Sequence, residues 1–128
     1  MTKTETAKKL LRRVFIKDGR EEWYEIDGKF DGEYKEWYDN GQLHVHCYHK
    51  NDKLDGEYKI WYKNGQLRAR SHHKNGKLYG ESKEWHKNGQ LYRCCYYKNS
   101  RLDGEYNMWY KDGRLFKYSY YKNGVKIK

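Results

Sequence analysis

The stretch DKLDGEYKIWYKNGQLRARSHHKN, Asp52 to Asn75, is the second of four consecutive copies of one 24-residue unit. Around it stand GKFDGEYKEWYDNGQLHVHCYHKN from Gly28, GKLYGESKEWHKNGQLYRCCYYKN from Gly76, and SRLDGEYNMWYKDGRLFKYSYYKN from Ser100 to Asn123. Every copy keeps glycine at its fifth place (Gly32, Gly56, Gly80, Gly104), then glutamate at the sixth, tryptophan at the tenth and leucine at the sixteenth. A unit this short cannot bury a core alone. It must stack on its neighbours, so the period predicts a repeat array.

Two turn signals punctuate each unit. One is Asn-Gly or Asp-Gly at 40/41, 64/65, 88/89 and 112/113; the other is Asn-Asp, Asn-Gly, Asn-Ser and Asn-Gly at 51/52, 75/76, 99/100 and 123/124. Asn, Asp and Gly accept the left-handed backbone that tight hairpin turns need. The segments between are rich in Tyr, Trp, His and Leu, contain no proline, and are too short for a typical helix. The expected fold is therefore all-β, an elongated single-layer stack of antiparallel β-hairpins that advances roughly 10 Å per unit. Four units fill residues 28–124, residues 125–128 make a closing strand, and residues 12–27 read as a shortened first unit with turns at Asp18-Gly19 and Asp27-Gly28. Within the opening segment Ala7, Leu10, Leu11 and Val14 are spaced as on a helix, so residues 1–27 offer an N-terminal cap.

Sidedness follows from the strand period. Along the second strand of the first unit, Leu43, Val45 and Cys47 alternate with His44, His46 and Tyr48, which assigns the leucine and the small residues to one face. Identity in all four copies points to Trp37, Trp61, Trp85 and Trp109, with Leu43, Leu67, Leu91 and Leu115, as the structural core.

Among 128 residues 36% are hydrophobic and 36% charged, with 15 Tyr and 5 Trp, a composition suited to a thin solvated scaffold. The net charge is +10, and residues 52–128 carry the whole excess. Arg68, Arg70, Arg93 and Lys117, interleaved with Tyr92, Tyr96, Tyr118 and Tyr120, form the expected interaction surface. Such a basic, aromatic ladder suits an acidic protein, an anionic phospholipid surface or a single-stranded nucleic acid. No apolar run marks a signal peptide or a membrane span, and Cys47 and Cys95 lie two units apart, too far to bridge; both readings favour the cytoplasm.

No reacting constellation emerges. Glu33, Glu57, Glu81 and Glu105 recur in every unit and so lack the uniqueness of a general acid and base pair, and no P-loop or dinucleotide fingerprint is present. His44 and His46 fall on one strand face under strict alternation, but histidine is replaced freely in other copies, so no metal, cofactor or small-molecule substrate is expected.

The recurring GEYKxWYxNGQL, with its second Asn-Gly turn and following L-x-G, resembles the variant MORN repeats, particularly those of YwqK-type antitoxins. The likeness runs over residues 28–124 and places the family's glycine and aromatic positions on Gly32/Tyr34/Trp37/Gly41 and their equivalents; Ser82 and His86 depart from it in the third copy. The resemblance implies a MORN-repeat solenoid, a non-enzymatic scaffold for protein contacts, and for the antitoxin group neutralisation of a cognate toxin. MORN proteins are also credited with phospholipid binding and oligomerisation, so lipid or nucleic-acid binding and self-association stand as alternatives.

Overall fold

The computed structural model describes residues 9–128. Its strands are β1 (Leu10–Ile16), β2 (Gly19–Ile26), β3 (Lys29–Tyr38), β4 (Leu43–Lys50), β5 (Lys53–Leu54), β6 (Gly56–Trp61), β7 (Leu67–Lys74), β8 (Lys77–Leu78), β9 (Gly80–Trp85), β10 (Leu91–Lys98), β11 (Arg101–Leu102), β12 (Gly104–Trp109), β13 (Leu115–Lys122) and β14 (Val125–Lys126). All belong to one antiparallel sheet, in which the long strands follow chain order and the two-residue strands β5, β8 and β11 extend the hairpins that precede them. The all-β, open stack of hairpins read from the sequence is the observed architecture. Leu10, Leu11 and Val14, assigned helical spacing above, lie instead on β1, where every residue from Leu10 to Ile16 pairs with β2. Cross-strand pairing overrides so short a helical pattern; the remainder of that segment, residues 1–8, lies outside the described residues.

Two kinds of turn alternate along the sheet and define its two rims. At the first, Asn51/Asp52, Asn75/Gly76, Asn99/Ser100 and Asn123/Gly124 all have positive φ at both central residues, the backbone of the tight two-residue hairpin. At the second, Gly65 N–H bonds to the Tyr62 carbonyl, Tyr62 N–H bonds to the Gln66 carbonyl, and Asn64 Oδ1 accepts from Gln66 N–H. The same pattern recurs around Gly41 and Gly89.

This second turn sets the register. Ile60 pairs with Ala69 but Trp61 pairs with Leu67, so Arg68 is an extra residue, and the same shift occurs in each of the other three units. A bulge turns the following side chains to the opposite face. The leucine therefore joins the tryptophan, while His44, Arg68, Tyr92 and Phe116 are turned toward the small residues: His44 Nδ1 lies 3.3 Å from Glu36 and its ring stacks on Tyr38 at 4.2 Å. The strict alternation expected above, with Leu43 beside Val45 and Cys47 and with His44 beside His46, is corrected by this bulge.

The sheet thus has a cysteine face and a tryptophan face. Full burial occurs on the former, at Cys47 (2% exposed), Cys95 (0%) and Ser119 (1%), the same place in three units, joined by Val45. Tyr34 and Tyr106 are the cross-strand partners of Cys47 and Ser119, and these rings, with the adjoining row His49, His73, Tyr97 and Tyr121, can cover only small residues. Trp37, Trp61, Trp85 and Trp109 are half-buried, as are Leu43, Leu67 and Leu91, whereas Leu115 is 56% exposed. A single layer has no second sheet to cover a tryptophan row, so the densest packing lies at the small residues.

Candidate interaction surface

Successive units are clamped at both rims. Tyr38 Oη donates to the Trp61 carbonyl at 2.7 Å and Tyr62 Oη to the Trp85 carbonyl at 2.7 Å, while His86 Nε2 lies 3.0 Å from the Trp109 carbonyl. Beside them Asn40, Asn64 and Asn88 donate to the carbonyls of Lys63, Lys87 and Lys111. At the opposite rim Gly76 N–H reaches the Leu54 carbonyl, Ser100 N–H that of Leu78, and Gly124 N–H that of Leu102.

The first of these clamps leaves a ladder of rings along the cysteine face. Its rungs are Tyr38 on His44, Arg68 over Tyr62 at 5.6 Å, His86 against Tyr92 at 4.8 Å, and Tyr110 against Phe116 at 5.0 Å. Lys63 stands over Tyr38 and Arg114 over Tyr110. A groove of about 470 Å³ opens at the last rung, lined by His86, Tyr92, Trp109, Tyr110, Arg114 and Phe116 among others. Tyr38, His44, Tyr62, His86, Tyr110 and Phe116 were missed by sequence reasoning. The available signal was that the eleventh and seventeenth places of every unit hold a ring or a guanidinium.

The eight expected surface residues do not share one surface. Arg68, Tyr92, Arg93 and Lys117 lie on the cysteine face; Arg70, Tyr96, Tyr118 and Tyr120 lie on the other. Arg93 is committed within the fold, bonded to Glu84 and held 5.9 Å over the Tyr106 ring, and Lys117 stands 5.8 Å from that ring. In this unit Ser82 replaces the tyrosine.

On the tryptophan face, cations and glutamates neutralise one another. Lys35 and His46 flank Glu33 at 3.3 and 3.2 Å, Lys59 meets Glu57 at 2.6 Å, and Arg70 and Lys83 share Glu81. The Lys35 and Lys59 ammonium groups hold the carboxyls of Glu33 and Glu57 below the ordinary range. His44 and His46, considered above as neighbours on one face, are separated by the bulge, one on Glu36 and the other on Glu33. Among the described residues no three His, Cys, Asp or Glu side chains are placed to hold a metal ion. Cys47, Cys94 and Cys95 are free and buried, and burial pushes the Cys47 thiol up to about 12.

A single-layer array of hairpins clamped through both rims defines the class as a β-repeat scaffold. The sequence profile of the MORN repeat variant family matches residues 30–51, 54–75 and 78–99, and the chain belongs to that family. Residues 102–123 lie outside the match yet form the same strands, bulge and turns. No curated protein matches the chain. The protein is accordingly a non-enzymatic repeat protein of the kind that acts through protein contacts.

Proposed function

We propose that the chain binds a protein partner along the ring ladder of the cysteine face and that this partner is a toxin which it neutralises. The observation that carries the binding surface is the ladder itself, in which a tyrosine stands at every rung beside a histidine, an arginine or a phenylalanine. Rigid aromatic side chains and arginines are the residue types that dominate binding energy at protein interfaces. The immunity role rests on the resemblance to the antitoxin group of variant MORN repeats. Three free, buried thiols suit a reducing compartment, and we place its action in the cytoplasm.

Affinity capture of the full chain from its native lysate at moderate salt tests this reading. One protein should be retained stoichiometrically, lost with Arg68→Ala/Tyr92→Ala, and kept with Tyr96→Ala/Tyr118→Ala on the opposite face. Capture unchanged by the first pair would remove the ladder as the surface. Growth arrest by the captured protein, relieved by co-expression of this chain, would establish neutralisation, and a harmless partner would refute it.

A further inference from the structure

The surplus positive charge of this chain is not spread over its faces. Of the strand-face cations, Lys35, Lys59, Arg70, Lys83 and Arg93 each reach a glutamate, while Arg68 and Lys117 stand over the rings of Tyr62 and Tyr106. At the tight-turn rim the pattern reverses, because Lys50 is the cross-strand partner of Lys53, Lys74 of Lys77, and Lys98 of Arg101. Like charges directly opposite on neighbouring strands destabilise a sheet, yet three successive hairpins repeat the arrangement. Among the described residues none of these six cations has an ion-pair partner within 4 Å.

The hairpin ends enclose two linked notches. One, of about 530 Å³, is lined by Lys53, Lys74 and Lys77 together with Asn75 and Asn99; the next, of about 340 Å³, by Lys77, Lys98 and Arg101 with Asn99 and Asn123. Backbone donors vary along the same row. Asp52 Oδ1 accepts from Phe30 N–H at 3.1 Å and Ser100 Oγ from Leu78 N–H at 2.9 Å, whereas Gly76 and Gly124 have no side-chain oxygen to offer the corresponding N–H groups of Leu54 and Leu102.

We propose that this rim binds an acidic segment of a protein partner in extended conformation, with a carboxylate seated in each notch. The proposal rests on the reading of the chain as a protein-binding scaffold and adds a second contact surface to it. Two strands advance the rim by roughly 10 Å per unit, close to one turn of an extended polyproline II segment, whose three residues rise about 9.3 Å and return every third side chain to one side, so acidic side chains at every third position meet successive cation pairs. Single-stranded nucleic acid requires a stacking ring between its charges, and Tyr79 is the one aromatic residue lining the two notches.

The test is fluorescence anisotropy on the full chain at about 50 mM salt. The probes are a labelled peptide with glutamate at every third residue, a peptide of equal composition with its glutamates in one block, a single-stranded oligonucleotide, and phosphatidylglycerol vesicles. The spaced peptide should bind tightest, and Lys74→Gln/Lys77→Gln/Lys98→Gln/Arg101→Gln should weaken it by at least about tenfold. Lys17→Gln/Lys87→Gln/Lys111→Gln, on the opposite rim, should change it by less than about twofold, circular dichroism confirming that both variants are folded. Equal losses in the two variants, no preference for spacing, or tighter binding of the oligonucleotide or vesicles would overturn the proposal. Retention of the lysate-captured protein partner by the four-residue variant, with the peptide results negative, would refute the rim while leaving the scaffold reading intact.

Discussion

His49 and His73 occupy one place in successive units, their rings packed on Phe30 at 4.9 Å and against Tyr58 at 5.7 Å. The Nδ1 atom of each is buried without a hydrogen-bond partner. Burial lowers both pKa values from the ordinary 6.5, so the unfolded chain takes up these protons more readily than the fold. The stability associated with the neutral rings is complete above about pH 6.5 and is lost as pH falls through the lower folded values. The thermal midpoint should therefore drop between about pH 7.5 and 5.5, and drop less in His49→Tyr/His73→Tyr, because Tyr97 and Tyr121 fill the same place in later units. An equal drop in the variant would assign the effect to other groups. Glu33 and Glu57, held below the ordinary carboxylate range by Lys35 and Lys59 respectively, act in a separate and more acid window. Residue by residue, the small character of Cys47, Cys95 and Ser119 is visible in the aligned units, but their burial is not, since serine and cysteine also suit an exposed strand.

At the scale of elements, the rim clamps decide how one hairpin holds the next. Tyr62 Oη donates to the Trp85 carbonyl beyond the end of strand β6, and its ring supports Arg68. Tyr62→Phe keeps the ring and removes the bond, at a cost of about 1 kcal/mol, with hydrogen exchange hastened in residues 85–90 more than in β10. Exchange unchanged at that turn would show that the clamp contributes nothing there. The N-terminal hairpin carries a stricter constraint: a Cβ on Gly19, where φ is +149°, would collide with the Trp37 carbonyl. Strands, turns and their order were legible from the Asn-Gly spacing. The bulge was not, because alternation assumes a constant register, and one extra residue at Arg68 reverses the face of Leu67 without changing composition.

For the molecule as a whole, charge is sorted by location. On the faces most cations are taken up by local ion pairs worth little individually, while the tight-turn rim gathers cations that repel one another. Raising salt from about 50 to 500 mM should screen that repulsion and raise thermal stability by up to about 1 kcal/mol. The four-residue rim variant should show a smaller salt response, and a chain stabilised mainly by its face ion pairs would instead lose stability as salt rises. Because each unit contacts only its neighbours, such changes are expected to add along the array.

The 24-residue period, the turn residues and the absence of proline were sufficient for an all-β array of hairpins, because backbone geometry at Asn and Gly is a local property. Family membership was legible for the same reason, in the repeated GEYKxWYxNGQL. Register, sidedness and the grouping of charges required the folded chain. They depend on pairings between residues of different strands, and there a single bulge separates His44 from His46, joins Leu67 to Trp61, and divides the expected basic surface between two faces.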